Sequence, residues 1–228
     1  GAITAKDYTV GGVIDAPETL TGTERVLEIN QSKYINFEVD DVDAAQQRPK
    51  VMSEGMVEAS HALSGSSDSY ILGLYGDAGN TIGSAGTPET VTVTDVYDKF
   101  VEAAEKLDEN DVPRTTRRWA IIPPWMHALL VKSDEFLKST ELGDDVLLNG
   151  QVGRISGFDV LMSNNISQNA GEYRVMFGYP GAMTFAEQIL NMEAYRPDDR
   201  FADAVKGLYV FGAKVTRPSG LVTGYFSK

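Results

Sequence analysis

The chain of 228 residues contains no cysteine. That absence removes disulfides, thiolate metal sites and thiol redox chemistry, and it fits any reducing setting. Histidine is nearly as scarce, with two copies, His61 and His127. Neither belongs to a His-Glu-x-x-His pair. His61 stands beside the helically spaced Met56, Ala59 and Leu63, and His127 follows Met126, so a structural role is expected of both, ahead of a metal or general-base role. Cations are outnumbered: 20 Lys and Arg against 33 Asp and Glu give a formal net charge of -13. Counterion-release binding needs clustered cations facing phosphates, so this balance argues against a nucleic-acid groove. No apolar run approaches the ~20 residues that span a bilayer, and no charged-then-apolar leader opens the chain, so a soluble protein is expected. The first residue is Gly1 and not Met, from which a processed end or a cut boundary is expected, with something missing upstream.

Catalytic signatures are missing as well. Gly153-Arg-Ile-Ser156-Gly157 does not match a nucleophile elbow. The glycine-rich stretch at 76–89, "GDAGNTIGSAGTPE", contains Gly-Thr-Pro where a phosphate loop needs Gly-Lys-Ser/Thr, and reads as a flexible linker and internal boundary. Acidic residues are abundant, but spacing singles out no catalytic pair. Asp40, Asp41 and Asp43 cluster at an expected helix start. They lack the Gly and closing Glu of a calcium loop, so capping is preferred to metal binding. Asn30-Gln31-Ser32 and Asn165-Ile166-Ser167 match the glycosylation pattern and, without a leader, are chance matches. No enzyme activity, cofactor or metal is expected.

What is present is enough apolar material, 42% of residues, to bury a core as one large or two small domains. Two thin strands flank a turn-rich tip between Ala2 and Glu28 and would be marginal alone. A strand follows at Lys33 to Val39, with Ile35, Phe37 and Val39 on one face. From Asp41 the period becomes helical through Val42, Ala45, Met52, Met56, Ala59 and Leu63, with Pro49 as a kink or restart. A short strand is expected at Val91 to Val93, and Thr94 is expected to cap a helix carrying Val96, Phe100, Val101, Ala104 and Leu107, stopped by Pro113. Arg118 to Ile122 reads as a strand. The helix after it begins with Pro124 near its first position and carries Met126, Leu129, Leu130, Ser133, Phe136 and Leu137.

The stretch "LLNGQVGRISGFDVLMSNN" (147–165) carries three glycines. Asn149-Gly150 signals a type I′ hairpin turn, and Gly157 is where Ile155 falls out of phase with Phe158, Val160 and Met162, which points to a strand bulge. A strand at Glu172 to Phe177, a helix with the stripe Ala182, Phe185, Ala186, Ile189 and Leu190, and a strand in "GLYVFGAKVTRP" complete the reading. The mixture without a strict βαβ rhythm indicates α+β. One basic cluster stands out, Arg114, Arg117 and Arg118. It reads either as an anion or partner site making subunit contacts, or as salt bridges to the chain's own carboxylates.

In order, "YINFEVDDVDAAQ", "VPRTTRRWAIIPPWMHALL", "LLNGQVGRISGFDVLMSNN", "GAMTFAEQI" and "VKGLYVFGAKVTRP" resemble the major capsid proteins of tailed bacteriophages and prophages, with the Hong Kong 97-type fold, over nearly the whole chain. The resemblance implies an extended loop (1–33) that laps over a neighbour. It implies a peripheral domain (34–93 and 191–228) with a long spine helix at Asp41 to Leu63 and a sheet completed by C-terminal strands, and an axial domain (94–190). Family members commonly carry an arm or scaffolding segment ahead of the loop, here expected absent or short. The implied function is an icosahedral shell subunit that forms hexamers and pentamers of itself around double-stranded DNA in the virion, made in the bacterial cytoplasm. Scaffolding, portal and decoration proteins are its candidate partners; membrane contact and sequence-specific nucleic-acid binding are not expected. The rival readings are an encapsulin-like nanocompartment shell and a soluble enzyme.

Overall fold

The computed structural model describes residues 7, 10–13, 16, 25–41, 51–133 and 153–228. Strand β1 (Gln31–Asp40) carries out the alternation its sequence announces: Ile35, Phe37 and Val39 are half-buried, while Tyr34, Asn36 and Glu38 are exposed. The long helix α1 (Val51–Gly73) packs on the apolar side. A Cβ on Gly55 would stand 3.0 Å from the Phe37 ring, which fixes how closely helix and strand approach. The helix continues ten residues past the expected end at Leu63. Its serine-rich second half stays helical because hydroxyls turn back on the helix: Ser67 donates to the Ser64 carbonyl and Ser69 to that of Gly65, both at 2.8 Å. The expected start at Asp41 is helical, whereas Val42, Asp43, Ala45 and Pro49 lie outside the described residues.

The stretch expected to be a flexible linker is instead built into a sheet. After a single 3-10 turn come β2 (Asn80–Ile82) and β3 (Glu89–Thr90), and both run parallel to β11 (Leu221–Ser227). Gly83 and Gly86, at φ +69° and +83°, make the turn between them, and the Gly86 N–H donates to the Glu172 carboxylate at 2.8 Å. Residue 91 follows β3 as a buried side chain, so the short strand ends just before the expected Val91 to Val93. Helix α2 (Val96–Glu109) has Asp95 at its N-cap, not Thr94. The Asp95 carboxylate accepts from the Thr92 backbone N–H at 2.6 Å and so braces the approach to the helix. Val96, Phe100, Ala104 and Leu107 are buried as expected, whereas Val101 is exposed.

Strand β4 (Arg118–Ile122) and helix α3 (Pro124–Lys132) begin and end as the prolines dictate. Met126, Leu130 and Ser133 are buried; Phe136 and Leu137 lie outside the described residues, as do Asn149 and Gly150. The following hairpin joins β5 (Arg154–Ile155) to β6 (Phe158–Met162). Ile155 pairs directly with Phe158, so Ser156 and Gly157, at φ +46° and +86°, form a two-residue turn with both angles positive. The phase change at Gly157 is therefore a chain reversal and not a strand bulge.

β7 (Gln168–Asn169) and β8 (Glu172–Gly178) precede the largest departure from expectation. Met183–Tyr195, the segment read as a helix, is strand β9, antiparallel to β10 (Ala202–Val215). Its ladder pairs Gln188 with Val210 and Leu190 with Tyr209, leaving residue 189 as an extra residue in a bulge. A bulge shifts strand alternation by one. Apolar positions at 185, 186, 189 and 190 then imitate a helical spacing.

The strands form two sheets. One has three strands in the order β1-β10-β9; the other has eight, with the path β2-β11-β8-β4-β6-β5 and with β3 and β7 pairing to β11 and β8. The expected domain limits do not coincide with them, because β9 begins at Met183 in the three-stranded sheet and β11 returns to the eight-stranded one. The main core lies on the α2 and α3 side of the large sheet. There Phe100, Phe158 and Phe177 meet edge-on with centroids 5.4–6.3 Å apart, among Ile122, Met126 and Phe226. A second cluster of Leu72, Met176, Val215 and Leu221 ties the end of α1 and the three-stranded sheet to the other face.

Candidate functional site

Among the described residues no group of three or more His, Asp or Glu could hold a metal. His61 is exposed on α1, and His127 is half-buried on α3. Neither lies in an ion pair among the described residues. Asp41, at the end of β1, accepts from Arg196 across the β9–β10 hairpin, and Asp40 is also engaged; Asp43 lies outside the described residues. Asn30 precedes β1, and Asn165 donates its N–H to the Ser163 hydroxyl in the loop after β6. What the fold presents to its surroundings is a set of surfaces, and two of them are built with some care.

The first is the base of the N-terminal segment. Residues 25–30 cross β10 before entering β1. Arg25 donates to the Val215 carbonyl at 3.0 Å, and Lys214 Nζ donates to the Val26 carbonyl at 2.7 Å. The crossing point is Gly212, where a Cβ would collide with the Glu28 carbonyl oxygen and stand 3.0 Å from Ile29 Cα. Beyond this clamp Val10 and Val13 are 97% and 99% exposed, and within it the Val26 side chain is 62% exposed. Residues 31–33, assigned to the extended loop from sequence, belong to β1.

The second surface holds the three arginines, and the structure separates them. Arg118 is buried at the start of β4, where its Nη2 donates to Asp108 at 2.7 Å and to the Val112 carbonyl at 2.6 Å. Arg114 is exposed and donates through Nε to the other oxygen of Asp108 at 3.0 Å. The Arg114 guanidinium, with Arg118 beside it, holds the Asp108 carboxyl below the usual carboxylate range, although partial burial pushes the other way. For these two the self-pairing reading applies. Arg117 alone is exposed without an ion pair or hydrogen bond among the described residues. Sequence reasoning missed Asp108 as the common partner. The i, i+6 and i+10 spacing to Arg114 and Arg118 becomes a contact only once α2 folds back along β4.

Comparison with known proteins turns this architecture into an assignment. The family model for phage capsid protein matches residues 25–224. A solved structure from Mycobacterium phage Che8 is similar at a TM-score of 0.75 and 26% identity, covering 99% of this chain and 80% of that one. The capsid structure of the cyanophage P-SCSP1u has a TM-score of 0.74 at 20% identity, covering 99% and 81%. The holo-SrpI encapsulin complex from Synechococcus elongatus PCC 7942 shares the fold less closely, with a TM-score of 0.56 and 10% identity over 89% and 74%. No curated protein matches the sequence. The chain belongs to the phage capsid protein family and is a structural shell subunit of the Hong Kong 97-type fold.

Proposed function

We propose that copies of this subunit form the hexamers and pentamers of an icosahedral shell that encloses double-stranded DNA in the virion, after synthesis in the bacterial cytoplasm. The observation that carries this reading is the N-terminal segment, clamped at 25–30 while Val10 and Val13 are 97% and 99% exposed. Apolar side chains held out from a fixed base are contact surface for a neighbour, and the segment laps over the next subunit. In this arrangement α1 and the three-stranded sheet act as the peripheral domain. The eight-stranded sheet with α2 and α3 acts as the axial domain, whose copies meet at the capsomer centre.

The shell is held by many modest contacts, each weak alone after ordering costs, so a lattice persists while a single subunit does not aggregate. A net charge of -13 limits adhesion of the enclosed DNA to the wall. The subunit performs no catalytic turnover, and scaffolding, portal and decoration proteins complete the particle. The test is to express the full-length protein alone and image the product. Closed particles of uniform diameter support the reading. A species that stays monomeric at every concentration, with or without scaffolding protein, contradicts it.

A further inference from the structure

The second half of α2, the loop at Arg114 and the Ser156–Gly157 turn surround a cavity of about 600 Å³ lined by Glu105, Asp108, Glu109, Arg114 and Arg118. It is electrostatically incomplete in two respects. Glu105 and Glu109 stand one helical turn apart at its mouth, both exposed, and neither has a hydrogen bond or ion pair among the described residues. Like charges at this spacing repel each other, so a cation between them relieves a standing cost. In the wall, the Arg118 side chain is 4% exposed and its Nε–H has no acceptor. A buried donor without an acceptor also carries a cost. The cations already present do not neutralise Glu105 and Glu109, since Arg114 and Arg118 are both committed to Asp108.

The chain itself carries the missing cation. Arg117 is exposed, without a partner among the described residues, and is not part of the cavity lining. We infer that the cavity is one half of a contact between copies. Arg117 of a second copy docks between Glu105 and Glu109. The inference rests on the shell-subunit reading and specifies one of its interfaces. The contact is proposed to be heterologous, with Arg117 of each copy on the glutamates of the next, and so repeats around a ring. In a chain of net charge -13, copies repel one another on average, so a local complementary pair decides their register and not merely their affinity.

Three variants of the full chain test this: Glu105→Arg with Glu109→Arg, Arg117→Glu, and all three changes together. The positions are exposed, so each variant should melt like the unmodified protein. Either reversal alone should lower the yield of assembled particles by ~10-fold or more, since like charges now meet, and the combination should restore it. Full assembly by either reversal, or no recovery in the combination, overturns the contact. A covalent readout separates this failure from failure of the shell reading. Because the chain has no cysteine, a Glu109→Cys, Arg117→Cys variant has no native thiol to compete, and the two single variants, which can link copies only as dimers, serve as its controls. Under mild oxidation it should give a ladder of linked oligomers ending at five or six copies if the shell reading holds. Absence of the ladder overturns the contact even where shells form. A ladder from protein that never closes into shells sustains the contact and overturns the shell reading.

Discussion

The two sheets solve the same problem, covering apolar surface, in opposite ways. In the eight-stranded sheet β11 is buried along nearly its whole length, and β8 sends Phe177 into one cluster and Met176 into the other. Both faces are covered from within the chain. The three-stranded sheet is covered by α1 on one face, while the other leaves Tyr34 79% and Leu208 47% exposed, and the segment beside it leaves more. The difference teaches where stability ends and assembly begins. One region supplies the cooperative core, and the other leaves apolar surface uncovered within the subunit, which the proposed shell would bury between copies.

That contrast can be broken by equal substitutions in the two sheets. Phe177→Ala removes the ring that touches both Phe100 and Phe158, and should cost about 3–5 kcal/mol in denaturant unfolding. Phe37→Ala, on the half-buried face of β1, should cost clearly less; equal losses would show that the three-stranded sheet belongs to the same core.

Asp108→Ala strands the buried Arg118 guanidinium. Because the carboxylate is itself 25% exposed, the loss should be about 2–3 kcal/mol, below the ~3–5 of a fully buried pair. The same residue gives a pH signature. Its carboxyl is held below its unfolded value of about 3.9, so its contribution is complete above that pH and is lost as pH falls through the lower folded value. Acid unfolding of Asp108→Ala should therefore be less steep below pH ~3.9 than that of the unmodified chain, and an identical acid limb would remove Asp108 from the account.

Gly157→Val should cost about 1–3 kcal/mol, entirely through backbone strain, since no atom lies within 4 Å of the added Cβ. An unchanged melting temperature would mean that the turn relaxes. The smallest effect on stability is expected at Gly212. Gly212→Ala pushes against the Glu28 carbonyl and should lower stability by no more than about 1 kcal/mol, while lifting the clamp so that trypsin cuts after Arg25 faster than in the unmodified protein. Unchanged cleavage would show that the segment is not held there.

Much of this was legible because local chemistry and tertiary structure agreed. Pro123 and Pro124 set the end of β4 and the start of α3, and the two-residue period of β1 showed its buried face. The errors have a common origin in long-range pairing. β9 imitated a helix because its bulge lies opposite Tyr209 and Val210, a register that only β10 defines. The 76–89 stretch reads as flexible because its partner, β11, is distant in sequence, although the apolar run from Leu221 to Phe226 after Pro218 is a usable strand signal. The arginine cluster was visible, but its division into a buried anchor, a paired rim and a free side chain depends on Asp108 arriving from α2.

The central claim is that the N-terminal segment serves the shell and not the fold. It is tested most directly by deleting residues 2–24, which spares the clamp at 25–30, and comparing thermal unfolding and electron microscopy with those of the assembly-competent full-length protein. The account predicts a deleted protein that melts cooperatively near the same temperature and no longer closes into shells. Closed shells from the deleted protein, or loss of its cooperative transition, would contradict it.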